Sequence, residues 1–501
     1  MGNIIVIMCD QLRKDYISAY GCQGIETSNI DSLAQSGVLF TNAVTASPVC
    51  GPARACVMTG KSVSEHGVFT NDIEFKEGLE YLPQTMTSLG YKTAAFGKLH
   101  HTPADDMKGF EYGVQMEEGR LKEREPYLKW KRDRKGIFDY NGRIDDYYEH
   151  FITDKAIDYI RKNADENMFL WISFQSPHDP FDAPKCLRGQ VDYKNLPETK
   201  KNAFMSETAK YRSALTQKQG WRLNSKREKI KYAAEILEID YEIGRILKEL
   251  KKQNIFEKTH IIFSADHGEL LGDYNMHGKG PYPFSSQFKV PMIVSSPQFS
   301  EKTINDNIVS NADIAATVLS FAGMDFGLGS SVDMLSEKRV PVRYSEFCDI
   351  AKFISTDEYR FCFYPFSREM ILFKRNDETV NYAYDEKYKH LVLSFLNEII
   401  VNLSRVVQPN KYNTDNIDSM IRTIEKMIIK KGVRMEAQDI NPKVQKGLDE
   451  YLSDWRKTIP IAYPIINRYQ LRMLRKHHLN WKYNEFCIGR ERVADYGVYW
   501  E

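Results

Sequence analysis

Short runs of β-branched and aliphatic residues alternate with longer helical patterns through the first two thirds of the chain. Residues 4–9, 92–96, 169–174 and 260–265 are such runs and read as buried strands. Between the last two, residues 227–252 place Ile230, Ala233, Ala234 and Leu237, then Ile243, Ile246 and Leu247, at helical spacing, which predicts a long amphipathic helix. The apolar segment 292–295 and a helix over 313–322 follow. Strands alternating with helices in this way predict a large α/β/α domain, with a central, mostly parallel sheet covered on both faces.

The pattern changes around Arg339. Residues 342–348, 359–364 and 370–374 are rich in Tyr and Phe and read as antiparallel strands, with helices expected over 390–406, 415–430 and 442–455. This divides the chain into a catalytic domain, 1–338, and a smaller C-terminal α+β domain, 339–501, with an antiparallel sheet. The basic, aromatic tail over 468–500 reads as packing or as an oligomer surface rather than a nucleic-acid site. No internal repeat or low-complexity tract interrupts the sequence.

Composition narrows the partners more than the fold. The 501 residues carry 69 Lys and Arg against 68 Asp and Glu, a net charge of +1, so no global field recruits nucleic acid or an anionic membrane. Anion specificity must be local. No stretch approaches the roughly 18 apolar residues of a membrane span, and the short run after Met1-Gly2-Asn3 lacks the form of a secretory signal. The eight cysteines (9, 22, 50, 56, 186, 348, 362 and 487) form no CxxC pair, so a cytoplasmic location is the expectation.

Ligands of open α/β sheets bind beyond the carboxyl ends of the strands, so polar residues directly after the apolar runs are the first candidates. Asp10 and Gln11 follow the first run, Lys98 and His100 the second, His178 the third, and Asp266 and His267 the fourth; His277 and Lys279 lie just downstream. Singly, each fits a helix cap or a satisfied polar residue. Together they offer oxygen donors (Asp10, Gln11, Asp266) and a nitrogen (His267) suited to a divalent cation. Arg54, Lys98, His100, His178 and Lys279 add cations and proton donors for a tetrahedral oxyanion. That inventory fits ester hydrolysis at sulfur or phosphorus. Cys50 alone fits a small buried hydrophobe, but Gly51 and Pro52 form a turn that sets it near a helix N-terminus, where N–H groups favour anions.

The segment Pro48-Val49-Cys50-Gly51-Pro52-Ala53-Arg54-Ala55-Cys56-Val57-Met58-Thr59-Gly60 resembles the sulfatase family signature, Cys-x-Pro-x-Arg followed by Thr-Gly, at every specified position. Residues 90–100 resemble the second signature, departing from it at Phe96 and Leu99. With Asp10, His178, the helix from Tyr232 to Gly244, Asp266-His267-Gly268 and Asp313-Ile314-Ala315, the similarity covers about residues 3 to 325. The resemblance implies an alkaline-phosphatase-like fold and a sulfate monoesterase whose Cys50 is matured to formylglycine by a generating enzyme. It further implies a divalent metal, usually Ca2+ with Mg2+ or Mn2+ as alternatives, held by Asp10, Gln11, Asp266 and His267. Arg54 would orient the aldehyde hydrate and Lys98 would neutralise the sulfate. His178 and Lys279 would contact the sulfate and protonate the leaving alcohol, while His100 would take the proton that releases sulfate. Asn71 falls where related enzymes place a polar substrate contact and equally fits a surface turn, His277 fits either a substrate contact or a group supporting the ligands, and His101 reads as structural.

Gln11 and His267 depart from the commoner Asp and Asn and resemble the phosphonate monoester and phosphodiester hydrolases of the same superfamily. Those enzymes usually have Tyr and Thr where this chain has Lys98 and His100, which favours sulfate. A catalytically silent binding paralogue is the reading from a different class. The implied substrate is a small-molecule or carbohydrate sulfate ester, with pocket walls expected from 109–146, 185–226 and the second domain; the polar segment 185–226 reads equally as a lid or as an ordinary surface insertion. Oligomerisation is expected to use the C-terminal region.

Overall fold

The computed structural model describes residues 2–405 apart from 72, 74–77, 101–106, 108, 116–143, 207–208, 211–212, 214–224, 325–328, 349 and 366–367. The helices expected over 415–430 and 442–455, the tail over 468–500 and His101 lie outside these residues, as does most of the segment 109–146.

Four strands form where the apolar runs predict them: β1 (Asn3–Cys9), β3 (Lys92–Gly97), β5 (Met168–Phe174) and β6 (Thr259–Ala265). Every residue of β1 and β5 is buried, as central strands covered on both faces require. Four further strands complete the sheet: β2 (Gly37–Val44), β4 (Tyr112–Gln115), β7 (Met292–Ser295) and β8 (Thr303–Ser310). The order is β4-β3-β5-β1-β6-β7-β2-β8, and only β7 runs antiparallel to its neighbours. Helix α1 (Ser28–Gln35) packs near β7 and β2. Helices α2 (Cys50–Thr59), α3 (Tyr148–Lys162), α4 (Ser225–Lys252) and α5 (Ile314–Phe321) complete the layers. A 3-10 turn at Asn311–Asp313 leads into α5, so the helix expected over 313–322 starts with a capping box built by Ser310 and Asp313.

A second sheet, β12-β11-β10-β9, is antiparallel throughout and comprises β9 (Arg343–Phe347), β10 (Ala351–Ser355), β11 (Tyr359–Phe363) and β12 (Met370–Lys374). Helix α6 (Lys389–Ser404) covers one face through Val392, Phe395, Leu396, Ile399 and Leu403. The other face packs Phe353 against Phe288, and Phe373 stacks near Phe284, joining this sheet to segments beside the first. No helix among the described residues is long and apolar enough to cross a membrane.

Register is what positions the site. Cys9 sits opposite both Phe174 and Ala265, so β1, β5 and β6 end at one level, and Asp10 and Asp266 leave the sheet side by side. Gly97 pairs with Ser173 at that edge with φ 94°, and a Cβ there would fall 1.9 Å from the Ser173 carbonyl oxygen. Only glycine permits this close approach, which delivers Lys98 into the same cleft.

Candidate active site

Cys50 is the first residue of α2, preceded by the extended Val49. Its turn is held by Asn71, whose Oδ1 accepts from the Gly51 N–H at 2.9 Å. Asn71, expected as a substrate contact, thus directs its oxygen at the backbone of the helix start. Cys50 is 1% exposed, with Sγ 3.0 Å from Lys279 Nζ, 3.1 Å from His267 Nε2 and 3.5 Å from Asp10 Oδ1. Burial alone would push the thiol up, but Lys279, Lys98 and His267 outweigh it and hold the group well below the usual thiol range. The sulfur occupies an anion position.

The two strand-end aspartates are fully buried and adjacent. Arg54, also fully buried, donates from Nε to Asp266 Oδ2 at 2.9 Å and from Nη2 to Asp10 Oδ2 at 3.4 Å, while Nη1 reaches the Lys98 carbonyl and Ser173 Oγ. Lys98 Nζ lies 2.6 Å from the same Asp10 oxygen. Burial and Cys50 would raise the Asp10 carboxyl, yet Lys98, His178 and Lys279 keep it well below the ordinary carboxylate range. The Arg54 guanidinium contacts both carboxylates and the β3–β5 edge, so it clamps the aspartates directly.

His267 donates from Nδ1 to the Gly268 carbonyl at 2.8 Å, which turns Nε2 toward Asp10 Oδ1 and Asp266 Oδ1, each 3.8 Å away. Ligand atoms of Asp10, Cys50, Asp266 and His267 all lie within 4.8 Å of one another. Two buried carboxylates and a fixed imidazole nitrogen fit a divalent cation. Gln11 borders this group in a left-handed conformation, φ 67°. Its Oε1 accepts from Lys279 Nζ at 2.8 Å and its Nε2 donates to Glu269. Tyr232, on α4, fixes that turn by donating to the Gln11 carbonyl at 2.7 Å and accepting from the Arg13 N–H at 2.8 Å.

The histidines divide by environment. Burial and then Lys98 push the His100 imidazole down, whereas Asp179, Asp10 and Cys50 raise His178 against burial and Lys279. His178 Nδ1 is fixed on the Asp179 carbonyl at 2.7 Å. His277 stands apart, with Nε2 3.5 Å from Glu228 and Nδ1 4.0 Å from Glu269. Burial and Cys50 have opposite effects on Lys279: with Asp10, the sulfur outweighs desolvation and raises the ammonium. Three supporting residues were not singled out from the sequence. Asn311 donates from Nδ2 to the Asp266 carbonyl at 2.9 Å, Ser173 receives Arg54, and Glu269 holds Gln11. The one polar position in the β5 run Met168–Phe174 was the available signal for Ser173.

A cysteine at a helix start, facing two lysines and beside paired aspartates, is an arrangement built for an anionic ester. The family model for Sulfatase matches residues 2–324. The chain belongs to the sulfatase family. This sulfatase is 28% identical over 386 residues to the arylsulfatase of Clostridium perfringens, covering 67% of this chain and 77% of that protein. It is 25% identical to the N-acetylglucosamine-6-O-sulfatase of Bacteroides thetaiotaomicron, over 64% of this chain and 68% of that one. The fold matches the phosphonate monoester hydrolase of Agrobacterium radiobacter with a TM-score of 0.69 at 21% identity, covering 81% of this sulfatase and 96% of that chain. The sulfatase is accordingly a sulfuric ester hydrolase with an alkaline-phosphatase-like fold.

Proposed function

We propose that this sulfatase hydrolyses a sulfate monoester of a sugar or other small alcohol, using Cys50 matured to formylglycine and a divalent cation, with Ca2+ the first candidate. The observation that carries the reading is the Cys50 sulfur, buried between Lys279 at 3.0 Å and His267 at 3.1 Å beside Asp10. Formylglycine at residue 50, once hydrated, would supply the attacking hydroxyl, and a bound divalent cation would supply positive charge for the anionic ester. Asp10, Asp266 and His267 would hold that cation, with the Gln11 amide oxygen beside them.

Lys98 and Lys279 neutralise the sulfate, and their burial strengthens that attraction over its value in water. His178, fixed through Nδ1, keeps Nε2 for the leaving oxygen and donates a proton with Lys279. His100 accepts a proton at residue 50. Arg54 keeps both aspartates at fixed separation. Sugar sulfates are favoured by the relative that is an N-acetylglucosamine-6-O-sulfatase. A formylglycine-generating enzyme is the required maturation partner.

The test uses protein coexpressed with such a maturing enzyme. Mass spectrometry of the Cys50 peptide should show the loss that accompanies conversion to the aldehyde, and Cys50→Ala should reduce aryl sulfate turnover to background. Wild-type turnover by Cys50→Ala would falsify the assignment. The phosphonate hydrolase reading is favoured by Gln11 and His267; faster turnover of a phenyl phosphonate monoester than of the aryl sulfate would reverse the ranking.

A further inference from the structure

The buried Arg360 and the half-buried Lys14, Lys289 and Arg375 gather near β2, away from the Cys50 centre. Lys14 Nζ donates to the Thr41 carbonyl at 2.7 Å and sits 5.2 Å from the Tyr20 ring centroid. Lys289 bridges Val44 through its backbone. The Arg360 guanidinium lies 5.2 Å from the ring centroid of Phe288, the residue before Lys289, and reaches Ser285 Oγ at 3.1 Å. Arg375 Nη1 donates to the Asp357 carbonyl at 3.3 Å, and Asp357 in turn receives Asn42 of β2 at 3.1 Å.

The neighbouring acids are already engaged. Asp15 takes Arg13 through both oxygens. Asp357 gives one oxygen to Asn42 and the other to Arg339. Glu378 accepts from Tyr274 and the Ser285 N–H, and stands 3.7 Å from Lys200 and 3.8 Å from Arg360. Among the described residues, Lys14, Lys289 and Arg375 have no carboxylate partner within 4.0 Å, and the Lys289 ammonium has no hydrogen-bond acceptor. Arg360 Nε is buried without a partner. Burial, and then Arg360, Lys14, Arg375 and Lys200, push the Lys289 ammonium down to about 7. Like charges gathered this way repel one another, and an anion bound among them would relieve that repulsion.

We propose that Lys14, Lys289, Arg360 and Arg375 form a second anion site, distinct from the Cys50 centre, that takes a tetrahedral oxyanion such as sulfate or phosphate. The donors match that class: two ammonium groups supply point charges and two guanidinium groups can fork onto paired oxygens. The site does not rest on the hydrolytic reading. It accommodates a free ion at the seam between the two sheets.

The experiment titrates inorganic sulfate and, separately, inorganic phosphate into full-length Cys50→Ala/Lys98→Met/Lys279→Met protein, in which the first anion site has lost both of its lysines. Saturable binding should remain with at least one ion, and adding Lys289→Met should weaken it at least tenfold; the tighter ion names the source. No residual binding, or binding unaffected by Lys289→Met, overturns the proposal. Heat-induced unfolding in chloride buffer is the second measurement. Lys289→Met should melt at or above its parent there and lose the gain that the tighter ion gives the parent. A lower melting point in chloride would mean that Lys289 has an internal partner, which also overturns it.

Discussion

Arg54 is the residue on which the electrostatics of the centre turn. It is fully buried with Asp10 and Asp266, and with Lys98 it balances two carboxylates that water cannot reach. Removing one member of a buried charge group leaves the rest uncompensated, at a cost of about 3–5 kcal/mol. Arg54→Met should therefore lose about that much stability in urea unfolding with a chelator present. Saturating Ca2+ should recover part of the loss if, as proposed, it binds between the aspartates, because it would replace the missing charge. Equal losses with and without the ion would show that Asp10 and Asp266 do not share it. Activity should fall to background in either case, since Lys98 would be drawn wholly to Asp10.

At the scale of elements, the loop after β5 carries His178 and is tied at both ends by carboxyls. Glu149 on α3 accepts the Ser176 N–H at 2.9 Å, and Glu235 on α4 accepts the Asp182 N–H at 2.6 Å. Burial pushes Glu149 up to about 7 from an ordinary value of 4.5. The fold thus prefers the protonated form. Below about pH 4.5 both folded and unfolded chains hold this proton; between there and about 7 only the folded chain does, so stability declines as pH rises. Glu149→Gln should flatten that decline in denaturation curves taken at pH 5 and pH 7.5; an unchanged slope would remove Glu149 as its source. The elements themselves were unequally legible. β1 and β5 announce themselves because burial on both faces demands unbroken apolar runs. β8 carries Asn305, Asp306 and Asn307 on an exposed edge, and β10 hides Lys352 in its interior, so neither matches a strand pattern. Cys50, Arg54 and the strand-end ligands could be read from local spacing. Glu269 and Asn311 could not, since their roles arise only when residues over forty positions apart meet.

For the whole molecule, the second sheet is a support for the first. Glu346 on β9 accepts the Ser64 N–H at 2.9 Å and pairs with Lys352, both side chains fully buried. On the same strand, the Glu346 N–H donates to the Ala46 carbonyl at 3.0 Å and Ser345 Oγ to the Thr45 carbonyl at 2.7 Å, just upstream of Cys50. Glu346→Ala should destabilise the protein by about 3–5 kcal/mol, because Lys352 is left charged in the interior. Glu346→Ala/Lys352→Met should restore most of it. If the double variant is no more stable than the single one in chemical denaturation, the cost lies in the Ser64 bonds instead.

The depth of Cys50 also sets a clock. At 1% exposure, its sulfur is closed in by Lys279, which follows 229 residues later in the chain. At roughly 5–20 residues per second of synthesis, that interval is on the order of 10–50 s. An enzyme that must grip Cys50 would have this window before Lys279 can close over the sulfur. On the proposed formylglycine reading, maturation would be a race against folding: the same maturing enzyme should convert Cys50 during synthesis and leave it untouched when added to folded protein, as peptide mass spectrometry of the two samples would register.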